Sequence, residues 1–177
     1  VYYKVEGFIY MPIEALAMAA SNFIGQNIGA KNVDRVKKGK SLSMKMCVGM
    51  TVLIGGIIML FKTPILHIFT EEKEVVKYGS QFIMFIVPLY FIYAMNQILS
   101  GVLRGAGKTF VPMIIGLVCM CGFRVGWLVV MMGIVKDVRI VYASYPLTWI
   151  LTNIAMSIYY YKSSWIKKTT VERVEMV

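Results

Sequence analysis

Five apolar stretches, at about residues 7–28, 44–61, 79–103, 109–135 and 140–161, fill most of the chain, and its charges gather in the joints between them. A helix needs roughly 20 mostly apolar residues to cross the ~30 Å hydrocarbon core of a bilayer, so each stretch is near or above that length. The pattern predicts an all-α integral membrane protein, with a bundle of about five transmembrane helices over residues 1–162 and a cytoplasmic tail over 163–177. Apolar side chains make up 58% of the sequence and the mean hydropathy is +0.68, well beyond a soluble domain. Five is an odd count, and the chain starts Val1-Tyr2-Tyr3-Lys4 rather than with Met, so a piece of a longer protein is expected. Glu14 interrupts the first stretch, and no basic start or small-residue cleavage site accompanies it, which argues against a cleaved leader.

A formal net charge of +10 would suit a nucleic-acid partner if it covered a soluble surface. Its distribution points to topology instead. With alternating spans, Lys31, Arg35, Lys37, Lys38, Lys40, Lys45, Arg104, Lys108, Lys162, Lys167, Lys168 and Arg173 share one side. Lys4, Lys62, Lys73, Lys77, Lys136 and Arg139 fall on the other, beside Glu71, Glu72 and Glu74. This bias is the positive-inside signal and predicts a cytoplasmic C-terminus in the cell membrane. The expected partner is therefore the lipid bilayer, including its anionic headgroups, and not nucleic acid.

Breakers mark the joints: a basic loop at 29–39, Thr63-Pro64 closing the second span, and Gly105-Ala106-Gly107 between the third and fourth. Pro88 and Pro146 lie in or near spans, where the lost backbone bond requires packed neighbours. The run from Gly101 to Thr109 superficially resembles a phosphate loop, but position 102 is Val and what precedes it is a membrane helix, so a tight turn is expected. Cys47, Cys119 and Cys121 fall within spans, which disfavours a disulfide framework, and Cys119 and Cys121 point apart on a helix, so no metal site is expected.

Ionisable groups deep in a bilayer are rare without a partner or a role. Glu14 shares a helical face with Met18, Ser21 and Gly25, with Asn22 and Gly29 at the edge and Leu16 and Phe23 opposite. One face is thus expected against protein or water and the other against lipid, with packing and ion handling as the two accounts of Glu14. Arg124 lies near the middle of the fourth span and is expected to pair with an acid or with helix-end carbonyls inside the bundle, Glu14 being the only deep carboxylate on this reading. In the third span Tyr90, Tyr93, Gln97 and Gly101 align on one face with Asn96 at its border, suiting either an amphiphilic cavity wall or interhelical bonding. His67 reads as interfacial, and Tyr159, Tyr160, Tyr161 and Trp165 as an aromatic belt.

Several segments resemble the multidrug and toxic compound extrusion (MATE) family of secondary transporters. The run Phe23-Ile24-Gly25-Gln26-Asn27-Ile28-Gly29-Ala30-Lys31 with Asp34 to Gly39 is similar to the end of the second helix of a lobe. Leu99 to Thr109 with Pro112, Arg124-Val125-Gly126-Trp127 and Tyr145-Pro146-Leu147-Thr148-Trp149 are similar to later motifs, in matching order. The resemblance implies a twelve-helix fold in two six-helix lobes, of which this chain supplies helices eight to twelve and lacks the N-terminal lobe. It also implies a proton- or sodium-driven antiporter for organic, cationic or amphiphilic small molecules, with no cofactor and no enzymatic activity. Some sodium-coupled members carry an acid near the position of Tyr93, whereas residues 79–103 hold none here, so coupling falls to Glu14 or to acids of the first lobe. The candidate pathway residues are Glu14, Asn22, Gln26, Tyr90, Tyr93, Asn96, Gln97 and Arg124. The alternatives are a lipid-linked oligosaccharide flippase, which would favour a broader basic cavity, and a non-transporting structural membrane subunit.

Overall fold

The computed structural model describes residues 2–134 and 138–162, all of them in helices or the short turns between helices. The helices are α1 (Tyr2–Gly29), α2 (Val33–Leu60), α3 (Lys62–His67), α4 (Lys73–Ile86), α5 (Tyr90–Gly105), α6 (Phe110–Gly116), α7 (Phe123–Ile134) and α8 (Val138–Lys162). A 3-10 turn, Val87–Leu89, joins α4 to α5, and a π-helical stretch, Leu117–Gly122, joins α6 to α7, so each pair makes one long span. The predicted tail 163–177, with Trp165, Lys167, Lys168 and Arg173, lies outside the described residues, as does Lys136.

Lys4–Gly29, Val33–Leu60, Lys73–Gly105 and Phe110–Ile134 are long and apolar enough to cross a membrane. The fifth predicted span, α8, has 25 residues and therefore the length, about 37 Å at 1.5 Å per residue, but a weaker apolar signal. Its buried Ser144, Thr148 and Thr152 dilute the hydropathy. Each of these hydroxyls donates back to a carbonyl of its own helix, to Val141, Tyr145 and Thr148 at 2.7–2.8 Å, which makes them tolerable inside a bundle.

The boundaries differ from expectation at two joints. The basic segment is not a loop: only residues 30–32 separate α1 from α2, with Lys31 at φ 57° and Asn32 capping α2 by accepting from the Arg35 amide at 3.1 Å. Charged side chains had hidden that helix start, because the hydrocarbon span was read from its apolar residues alone. Likewise Thr63-Pro64 does not end the chain's helicity but sits in the first turn of α3, where proline needs no backbone donor. Pro88, by contrast, falls in the 3-10 break. Residues 101–105 belong to α5, which excludes the phosphate-loop geometry; the turn follows at Gly107, whose φ of 78° favours glycine.

Packing centres on α5, which lies against α1, α2 and α8. The buried ridge of α1, Val5, Ile9, Ile13, Ala17, Ala20, Ile24 and Ile28, recurs every three or four residues as one helical face must. Two glycines let α5 approach it. A Cβ on Gly101 would stand 2.5 Å from the Ala17 carbonyl oxygen, and one on Gly105 would collide with that of Ser21. Gly25 lies equally close, its added Cβ meeting the Gly105 carbonyl at 3.2 Å. Ser21 and Gly25 thus face protein as expected, but Met18 is 63% exposed. The opposite side is not purely lipid-facing either: Leu16 packs against the core, and the Phe23 ring covers Gly39 of α2. Two helices flank α1, so its packed arc is wider than a single polar face suggests. Small residues at such crossings supply the close packing that substitutes for a hydrophobic drive in lipid.

Gly101→Ala should destabilise the bundle by about 1–3 kcal/mol through overpacking. Gly126→Ala, where nothing lies within 4 Å, should leave the melting temperature in detergent unchanged or raised. Equal melting temperatures for the two variants would remove Gly101 from the crossing.

Candidate functional site

The polar face of α5 meets α1. Tyr93 donates its hydroxyl to Glu14 Oε1 at 2.9 Å, and Gln97 Nε2 donates to the same oxygen and to the Tyr93 hydroxyl. The expected alignment of Tyr90, Tyr93, Gln97 and Gly101 holds: all four turn toward α1. Tyr90 does not reach Glu14 but donates to Glu6 Oε1 at 2.5 Å.

Glu6 is the residue the sequence reading missed. It is only 4% exposed, so Glu14 is not the sole deep carboxylate. Its omission came from starting the first span at Gly7, whereas α1 is already helical from Tyr2. The spacing did hold a signal, since Glu6, Tyr10 and Glu14 recur every four residues and so share one helical face. Between the two carboxylates, about 12 Å apart along the axis, aromatic rings fill the space. The edge-on Tyr10 ring lies 5.4 Å from Tyr90 and 4.7 Å from Tyr93, and Trp149 of α8 packs at 5.2 and 5.5 Å from the same two rings. Pro12 sits within this stretch of α1 and provides no amide for the Phe8 carbonyl, leaving the backbone less tied beside Glu14.

Arg124 does not pair with Glu14. Its Nη2 donates to Thr148 Oγ1 at 2.8 Å, and its guanidinium carbon lies 4.3 Å from the centre of the Tyr145 ring. The reason is positional: α7 packs on α8, whereas Glu14 faces α5. A hydroxyl and a ring face partly replace the expected anion. Arg124 Nε and Trp127 Nε1 remain buried without a hydrogen-bond partner among the described residues.

Asn96 joins helices rather than lining the carboxylate cluster, its Nδ2 donating to the Trp149 carbonyl at 2.9 Å. Asn153 repeats this from α8 to the Ile92 carbonyl at 3.2 Å. Asn22 and Gln26 are exposed and lie about 12 and 18 Å beyond Glu14 along α1, so they do not share its site. His67 ends α3, exposed as an interfacial residue would be. A separate cavity of about 500 Å³ opens between α4 and α8, lined by Tyr78, Phe82, Tyr142, Tyr145, Glu72 and Glu74 among others.

With a carboxylate cluster set between two closely packed membrane-length helices, comparison with known proteins becomes informative. The MatE family model matches residues 1–130. The chain belongs to the MatE family. Probable multidrug resistance protein YoeA of Bacillus subtilis is 26% identical over 178 residues, covering 97% of this chain and 37% of its own length. Probable multidrug resistance protein NorM of Thermotoga maritima is 30% identical over 116 residues, covering 63% of this chain and 24% of its own. In solved structures, the eukaryotic MATE transporter AtDTX14 shares the fold with a TM-score of 0.85 at 20% identity, across 98% of this chain and 40% of that one. This MatE chain thus corresponds to well under half the length of these relatives.

Glu6→Leu should take the carboxylate acceptor from the buried Tyr90 hydroxyl and lose about 1–3 kcal/mol of stability, while Glu6→Gln keeps an acceptor and loses much less. Denaturant unfolding in detergent measures both. Indistinguishable midpoints would mean the Tyr90 hydroxyl does not depend on Glu6.

Proposed function

We propose that this chain is part of a secondary antiporter that exports organic, cationic or amphiphilic compounds, driven by a proton or sodium gradient. The observation that carries the reading is Glu14, a carboxylate within a membrane-length helix whose hydrogen-bond partners are the neutral Tyr93 and Gln97. Neutral donors orient a carboxylate without supplying a fixed counter-charge, which leaves the group available to a coupling cation. Glu6, held by Tyr90 one aromatic layer away, is a second such group on the same helix. The printed names of the relatives, multidrug resistance and multidrug and toxin extrusion proteins, supply the class of cargo. Aromatic walls with Glu72 and Glu74 in the cavity between α4 and α8 suit the same cargo, since ring faces and carboxylates both attract organic cations.

In this proposal the chain forms most of a C-terminal lobe, helices eight to twelve of twelve. Its C-terminus is cytoplasmic by the lysine and arginine bias. Transport then follows from rocking of this lobe against an N-terminal one around a shared cavity, as repeat-built transporters do. Family membership and the match to 40% of a solved MATE transporter support that architecture.

In the full-length protein, Glu14→Gln should leave expression intact while sharply reducing ion-driven efflux of a fluorescent organic cation. Efflux unchanged across the pH range would confine Glu14 to packing. This chain reconstituted alone in vesicles should bind but not export such a compound, because alternating access needs the opposing lobe; gradient-driven efflux from those vesicles would refute the two-lobe reading.

A further inference from the structure

We propose that the N-terminal turns of α2 form a docking site for the phosphate headgroups of anionic lipids. The inference stands on the placement of side chains and does not depend on the transport reading. Because α2 begins at Val33, Arg35, Lys38 and Lys45 are fixed on a helix rather than carried by a loose loop. At 100° per residue they fall within one arc together with Leu42 and Met46, and all five are exposed. The neighbouring arc holds the buried Val36, Gly39 and Cys47, which anchor the helix to the bundle. A stripe of this kind alternates cations with apolar side chains, as an element lying against a charged lipid surface does.

Depth is set by an aromatic marker. The Lys40 ammonium lies 4.3 Å from the centre of the Tyr160 ring and 5.5 Å from that of Tyr161, at the end of α8. Tyrosines concentrate at the headgroup level, so α2 crosses that level near Lys40. Arg35 and Lys38 then stand about 3–8 Å to the aqueous side, where lipid phosphates lie, and Leu42 and Met46 about 3–9 Å to the acyl side. Lys45 is on the acyl side as well, with a stem long enough to bring its ammonium back to the headgroups. The local charge is complementary: residues 31–45 contain six basic residues and one acid, Asp34. The amide-rich start of α2 adds its own positive potential.

The test uses the full-length protein containing this chain, purified in a neutral detergent, with native mass spectrometry reading bound lipid. Phosphatidylglycerol should bind in clear preference to phosphatidylcholine of the same acyl composition. The triple variant R35Q/K38Q/K45Q should lose on the order of 100-fold in phosphatidylglycerol affinity, at about fivefold per basic residue near a headgroup. K62Q/K73Q/K77Q removes the same charge at the other ends of the spans and should leave that affinity unchanged. Leu42→Gln keeps every charge and should weaken phosphatidylglycerol binding by removing the acyl-side contact. Since all the altered α2 side chains are exposed, unchanged helicity and melting temperature are expected for each variant. Equal affinity for the two lipids, equal losses in both triple variants, or displacement of phosphatidylglycerol by millimolar inorganic phosphate would overturn the proposal.

Discussion

The carboxylate contacts of this bundle depend on how near α5 can come to α1. Lipid offers no hydrophobic drive to press two apolar helices together, so their separation is decided by what their surfaces permit. Gly101 and Gly105 present bare backbone to the Ala17 and Ser21 carbonyls, and Gly25 returns the fit. That contact aligns the two helices along their length. With the crossing so tight, one to three helical turns away the side chains of Tyr90, Tyr93 and Gln97 are long enough to span to Glu6 and Glu14. Larger residues at the crossing would hold the donors and carboxylates apart.

The remaining polar groups are handled by a different rule, mutual satisfaction between α5 and α8. Asn96 and Asn153 each reach a backbone carbonyl on the facing helix, and the hydroxyls of α8 bond within their own helix. Trp149 then links the two systems, accepting from Asn96 through its carbonyl while its indole packs on Tyr90 and Tyr93. The α6–α7 span stands apart. Its apolar window is unburied, and its polar feature, Arg124, is served by α8 alone.

Much of the fold was legible because lipid leaves a chain few solutions, and long apolar runs report the helical one directly. The face of α5 was legible for a similar reason: Tyr90, Tyr93 and Gln97 differ so sharply from their neighbours that periodicity alone orients them. What escaped was whatever lay at the edge of an apolar run. Glu6 was lost because an acid near a span's start looks like a boundary, and the first turns of α2 were lost because lysines look like a loop. The Arg124 partner escaped for another reason. Pairing across a bundle depends on which helices touch, and hydropathy carries no information about neighbours.

The 3-10 turn at Val87–Leu89 carries a mechanical implication. An α-helix transmits tilt because every peptide is tied to one a full turn away, and here Pro88 interrupts that chain of ties. The next residue but one is Tyr90, whose hydroxyl is fastened to Glu6. The joint is braced on both sides: α5 is fixed to α1 by the hydroxyl strut, while α4 is seated on α3 and α8, its Phe82 ring 4.3 Å from that of Tyr142. A displacement of Glu6 would act on the pivot itself, so a shift of α1 is placed where it has leverage over the angle between α4 and α5.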